Sequence, residues 1–176
     1  MPERDHMNVS ENKHLYVSRA GAKLAAALDA FSLDVSNWVI ADLGSQVGGF
    51  VDCLLKRGAA RVHAVDTCYG SLDWGLRNDE RVIVMERTNA LHASLPELVD
   101  LVTIDVGWTP QRLILPAANR LRWPEAPIIS LLKPQYEASS SERHRGVVLP
   151  ECLEDVLTRV KGEITTLGFE VRDEVP

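Results

Sequence analysis

The 176-residue sequence lacks a surplus of positive charge, paired cysteines and any long apolar run, and each absence removes a class of function. With 19 Lys and Arg against 25 Asp and Glu, the formal net charge is −6 at pH 7. That balance excludes a domain gripping nucleic acid over its whole surface, because counterion release needs clustered cations, and leaves only a local basic patch open. The cysteines, Cys53, Cys68 and Cys152, are widely separated and form no C-x-x-C pair, which rules out a disulfide framework and fits a reducing, cytoplasmic compartment. No apolar stretch approaches the roughly 20 residues that cross a bilayer, and the polar run 1–14 is not a secretory leader. His6, His14, His63, His92 and His144 are scattered without ligand spacing, so no metal is expected.

What is present is enough apolar residue, 45% of the chain, for one sizeable core, with no internal repeat or linker to divide it. Residues 1–14 are expected to form a disordered tail and 15–176 one domain. Ser18 is placed to cap a helix running through Phe31, with Leu24, Leu28 and Phe31 on one face. Strands are expected at 38–41, 61–65, 82–85, 101–104 and 127–132. Helices are expected at 49–56, 72–77, 110–121 and 151–167, the last ending at Gly168. Alternation of this kind implies an α/β fold with a mostly parallel sheet and helices on both faces. The polar, Ser-rich segment 137–146, carrying Arg143, His144 and Arg145, is expected as a long loop.

The turn after the first strand, Asp42-Leu43-Gly44-Ser45-Gln46-Val47-Gly48-Gly49, carries the strongest chemical signal. Glycine lets backbone approach a ligand and enter a helix sharply, and Asp42 at the strand end can accept from an ammonium group. The spacing D-x-G-x-x-x-G-G departs from G-x-G-x-x-G, which disfavours NAD and FAD. Asp66, about 20 residues on at the end of the second strand, is where a carboxylate takes ribose hydroxyls in such folds. Read without any family, the same residues would also serve as a tight turn and a helix cap.

The segments Tyr16 to Leu24, Gly48 to Ala59, Ala64-Val65-Asp66, Tyr69-Gly70, Glu86 to Ala90, Leu101 to Val106 and Leu131 to Glu137 together resemble the FtsJ-like methyltransferases, and more closely their hemolysin-A-like (TlyA) branch. The resemblance spans roughly residues 15 to 170 and implies the Rossmann-like fold of S-adenosylmethionine-dependent methyltransferases. The implied activity is methyl transfer from S-adenosyl-L-methionine to a ribose 2′-hydroxyl of ribosomal RNA. It further implies that Asp42, Gly44, Ser45, Gly48, Gly49 and Phe50 hold the methionine side of the cofactor, that Asp66 takes the adenosine ribose and that Asn89 lies near the adenine. Lys23, Asp105 and Lys133 then fall on three members of the family's catalytic tetrad. Asp105 and Lys133, each at the end of an apolar strand, suit that chemistry, in which a weak hydroxyl nucleophile must lose a proton to a lysine oriented by a carboxylate.

Three departures set further expectations. Gln46-Val47 places bulk in the cofactor turn, and Val106-Gly107-Trp108-Thr109 alters the wall beside Asp105. The family's C-terminal strand with its tetrad Glu, and the S4 domain that precedes the hemolysin-like branch, are expected to be missing, which would leave a sheet edge suited to a homodimer. A non-catalytic S-adenosylmethionine-binding relative or partner subunit, and a small-molecule methyltransferase, stay open as alternatives. The helix expected at 151–167 reads as core-facing, so no membrane role is expected.

Overall fold

The computed structural model describes residues 15–176, so the tail expected over 1–14 lies outside the described residues. Helix α1 (Arg19–Ala30) precedes the alternation β1 (Val39–Leu43), α2 (Gly49–Lys56), β2 (Arg61–Val65), α3 (Trp74–Arg77), β3 (Val82–Met85), β4 (Leu101–Ile104), α4 (Gln111–Asn119), β5 (Ile128–Ser130) and α5 (Pro134–Glu137). A short hairpin of β6 (Arg143–His144) and β7 (Val147–Val148) then leads to α6 (Leu153–Thr166). The five main strands lie in the order β3-β2-β1-β4-β5 and all pair in parallel.

That order reverses at β1, which pairs with β2 on one side and with β4 on the other. The crevice beyond the carboxyl ends of β1 and β4 is therefore the topological switch point, where open α/β sheets hold their ligands. Side chains alternate across the sheet as strand geometry requires. On β1 and β4, Ile40 and Leu101 join the core under α1 and α2, whereas Ala41, Leu43, Val102 and Ile104 join the core under α4. Asp42 and Thr103 fall on the α1–α2 face by the same alternation, and both are fully buried. Each fully buried leucine of that core, Leu24, Leu28 and Leu54 among them, contributes about 2 kcal/mol.

The expected elements all form, with shifted ends. β5 is shorter than expected because Lys133 opens α5 and Pro134 occupies its first turn. The segment expected as a loop over 137–146 instead folds as one 3-10 turn, Ser140–Glu142, and the β6–β7 hairpin, whose two-residue turn holds Arg145 and Gly146 at φ 49 and 82. Positive φ at both positions is the geometry that returns a strand on itself. Among the described residues no strand follows α6, and β5 pairs only with β4. No helix of the described residues is long and apolar enough to cross a membrane.

Two contacts fix α1 over the switch point. Asp52 on α2 is buried and accepts from Val17 N–H at 2.9 Å and from Lys56 Nζ at 3.0 Å, pinning the chain just before α1. Gly21 then packs so closely that a Cβ there would stand 2.5 Å from Tyr16 Cγ and 2.7 Å from the Gly49 carbonyl oxygen. Gly21→Ala is thus expected to destabilise, because overpacking against backbone costs about 1–3 kcal/mol and outweighs the gain in helix propensity. Gly162→Ala on α6, where a Cβ meets nothing within 4 Å, is expected to stabilise by about 0.5–1 kcal/mol. Urea unfolding midpoints for the two variants should move in opposite directions from the wild type.

Candidate active site

A narrow cleft opens at the switch point, lined by Ser18, Ala20, Asp42, Gly44, Ser45, Gln46, Val47, Gly49, Phe50 and Asp105. A roomier hollow at Leu28, Asp29, Leu33 and Arg57 lies at the opposite, amino-end side of the sheet and holds little beyond an Arg57–Asp29 ion pair of 2.6 Å. The chemistry therefore belongs to the cleft.

Asp42 is 0% exposed, and Thr103 Oγ1 donates to its Oδ1 at 2.7 Å. Its Oδ2 is buried without a partner among the described residues. Burial pushes this carboxyl up to about 7, against the Thr103 hydrogen bond and with the help of the Asp105 and Asp66 charges. An unpartnered buried acceptor of this kind calls for a donor from outside the chain. The turn beyond it is built on backbone bonds, with Gly44 and Ser45 N–H donating to the Val65 carbonyl at 2.8 and 3.2 Å. Gly48, at φ 101, leads into α2, and a Cβ there would meet Leu76 Cδ1 at 2.4 Å. The loop and short helix after β2 thus pack directly on the turn after β1. The bulk of Gln46 and Val47 turns outward, since both are exposed at the mouth and Gln46 holds φ 45.

Asp66 closes the second side. Its Oδ2 accepts from Gln46 N–H at 2.8 Å and its Oδ1 from Cys68 N–H at 2.7 Å, which ties the β2 loop to the turn after β1. Asn89 is not part of the cleft lining. It stands after β3 and its Oδ1 accepts from Leu91 N–H at 2.9 Å, starting a 3-10 turn. Between these two positions Tyr69 is 71% exposed with the Arg87 guanidinium 4.2 Å from its ring centre, a pair the sequence did not point to. Glu86, which accepts from Gly70 N–H at 2.9 Å and pairs with Arg77, holds that loop in place.

The third group lies at the ends of β4 and β5. Lys133 Nζ stands 2.5 Å from Asp105 Oδ1, and it also donates to the Val106 carbonyl at 3.1 Å. Both side chains are only about one-quarter to one-fifth exposed, 24% and 21%. Lys23 is exposed on α1 and makes no ion pair or hydrogen bond among the described residues, so the structure does not join it to this pair. Trp108, at φ 62 and 85% exposed, packs against Tyr136 with ring centres 5.0 Å apart. The substituted wall beside Asp105 is thus an aromatic pair open to solvent. Glu137 accepts from Gln111 N–H at 2.8 Å, and Ser130 donates to the Gln111 side chain at 2.8 Å, fastening α4, β5 and α5 behind Lys133. Thr103 could have been found in the sequence as the one polar residue of the run Leu101-Val102-Thr103-Ile104, whereas Gln111, Tyr136 and Glu137 gave no signal before the elements were packed.

The model of the family described as FtsJ-like methyltransferase matches residues 16–173. The chain belongs to the FtsJ-like methyltransferase family. Within this family it is 42% identical over 160 residues to a protein of Bacillus subtilis provisionally named the rRNA methyltransferase YqxC, covering 88% of this chain and 57% of that one. It is 41% identical over 145 residues to the 16S/23S rRNA (cytidine-2′-O)-methyltransferase TlyA of Mycobacterium tuberculosis, covering 80% of this chain and 54% of TlyA. The chain therefore spans about half the length of these curated relatives. A solved structure from Streptococcus thermophilus, provisionally named a hemolysin, superposes with a TM-score of 0.86 at 37% identity over 90% of this chain and 59% of that one. These likenesses place the FtsJ-like domain in the hemolysin and TlyA branch, with the Rossmann-like fold expected from the alternating elements.

A carboxyl raised by burial has a consequence for stability. Asp42 holds its proton in the folded state up to about pH 7 but only to about 4 when unfolded, so its contribution is fully present below pH 4 and is lost as pH rises to 7. The loss amounts to about 4 kcal/mol by pH 8. Asp42→Asn should accordingly gain stability relative to the wild type between pH 5 and pH 8, read as a diverging difference in urea unfolding free energy. Equal pH dependence of the two proteins would contradict the raised value.

Proposed function

We propose that this chain transfers a methyl group from S-adenosyl-L-methionine to a ribose 2′-hydroxyl of ribosomal RNA. The observation that carries this reading is the juxtaposition of a buried, unpartnered carboxylate oxygen on Asp42 with the Asp105–Lys133 pair at the neighbouring strand ends. The donor fits the residues present. Asp42 Oδ2 would accept from its α-ammonium, and the backbone at Gly44, Ser45, Gly48 and Gly49, with Phe50 behind, would surround its carboxylate end at the start of α2. Asp66 retains free lone pairs for ribose hydroxyls, and Asn89 stands one strand further out, toward the adenine. Bound there, S-adenosylmethionine supplies an electrophilic sulfonium methyl.

The chain's own part is to position the hydroxyl and take its proton. The hydroxyl proton would pass to Lys133 Nζ, which Asp105 orients, once Lys133 has released its own ammonium proton to solvent. Lys23, exposed on α1, would supply a second positive charge facing the RNA. The exposed Trp108 beside Tyr136 suits an unstacked nucleotide, and Arg19 with the hairpin residues Arg143, His144 and Arg145 provides a local rim for phosphates. Arg143 donates to the Gln135 carbonyl at 3.0 Å, which sets that hairpin against α5 and hence near Lys133. A ribosomal substrate implies a cytoplasmic setting, and the open edge of β5 suits pairing in a homodimer.

The formal charge of −6 favours a small-molecule acceptor instead, and salt decides between the two. Binding to ribosomal RNA should weaken steeply between 50 and 200 mM salt, in the manner of about three or more phosphate contacts. With labelled S-adenosylmethionine and ribosomal subunits, label should enter RNA as alkali-resistant dinucleotides, the signature of a methylated 2′-oxygen. Lys133→Ala and Asp105→Ala should each slow transfer by about 100-fold or more. Unchanged transfer by Lys133→Ala would remove that residue from the mechanism, and donor binding without transfer to any RNA would favour a non-catalytic relative.

A further inference from the structure

Thr103 has no place in the chemistry above, yet among the described residues it is the only side chain that hydrogen-bonds the Asp42 carboxylate. It is fully buried and absent from the cleft lining, so it cannot contact a donor molecule itself. The two residues are register partners across the β1–β4 pairing, and they put a hydroxyl and a carboxyl side by side on an otherwise apolar face. We propose that Thr103 is a positioning residue of the donor site, whose hydroxyl engages Asp42 Oδ1 and so commits Oδ2 to the cleft as the acceptor for the donor's ammonium group. This inference rests on the donor reading given under the proposed function and deepens it.

A second consequence follows from charge. The groups that face Asp42 are Thr103 on β4, Asp105 at the end of β4 and Asp66 at the end of β2; among the cleft-lining residues only Asp42 and Asp105 titrate. Burial and both acidic neighbours favour the protonated carboxyl, and only the Thr103 hydroxyl opposes them. A cationic donor binds the ionised form, so its arrival expels the proton. Donor affinity should therefore rise with pH through the range of Asp42, and it should do so at a higher pH when the hydroxyl is absent. The donor's own α-amine, which ordinarily titrates near 8, stays largely charged below pH 7.5.

Calorimetric titration of the chain with S-adenosylmethionine and with S-adenosylhomocysteine, in buffers of differing ionisation enthalpy, tests this. The wild type should bind roughly 25-fold more weakly at pH 5.5 than at 7.5 and release about half a proton per site at pH 7. Asp42→Asn should release none and show a flat profile. Thr103→Val should bind about tenfold more weakly at pH 7 with its profile moved to higher pH, and Thr103→Ser should restore both. Thr103→Ala, run in parallel, carries the same expectation should the valine variant fail to fold by near-UV circular dichroism. If both hydroxyl-free variants bind with wild-type affinity and pH profile, Thr103 is structural and this inference fails while the donor reading stands. If neither compound binds the wild type at any pH, the donor reading fails and takes this inference with it.

Discussion

The parallel pairing of β1 with β4 is the interaction on which the rest of the structure depends. β1 leads by short crossovers to β2 and then β3 on one side, and only the return to its other edge, through β4, opens a crevice at the carboxyl ends. That pairing places Asp42 opposite Thr103, brings Asp105 to the Leu43 carbonyl at 2.9 Å and sets Lys133 one strand further on. Residues 42, 103, 105 and 133, spread over half the chain, become neighbours by hydrogen bonds between three apolar strands.

The cleft is also held open at a cost. A fully buried carboxylic acid with one unpartnered oxygen is expensive, and the surrounding packing supplies the stability that tolerates it. On one side, Asp52 and the Gly21–Gly49 contact draw α1 down until Ser18 and Ala20 form a wall of the cleft. On the other, Glu86 fastens the loop at Gly70 while Leu72 and Leu76 press on Gly48. Rigidity is imposed on the turn from both neighbours, which keeps the cleft formed.

Two of the departures from the family pattern have local explanations. Gln46 takes a left-handed backbone conformation and faces out, so the pair Gln46-Val47 crowds the mouth of the cleft and not its floor. Trp108 does the same on the opposite rim and finds a ring to pack on in Tyr136. Both substituted segments leave the Asp42–Thr103 and Asp105–Lys133 contacts intact.

By itself the sequence determined the α/β class, the order of the five strands along the chain and the glycine-rich turn after β1, because these rest on hydrophobic periodicity and on a glycine-rich spacing read along one segment. Asp42, Asp66, Asp105 and Lys133 were legible for the same reason, as polar residues that terminate apolar strands. The β6–β7 hairpin was not, since its Ser-rich composition resembles a loop and its turn depends on two residues accepting positive φ. Nor were Gln111, Tyr136 and Glu137, whose partners lie 19 or 26 residues away or, for Tyr136, on the far side of a loop, while Thr103 stood out only as the one polar residue of its strand, its partner 61 residues away. Asn89 and Lys23, which a linear motif groups with the cleft, sit outside its lining because one follows β3, the strand beyond β2, and the other lies on an exposed turn of α1. Which strand lies beside which was decided only in three dimensions, where side chains distant in the chain satisfy one another's hydrogen bonds in a core that water cannot reach.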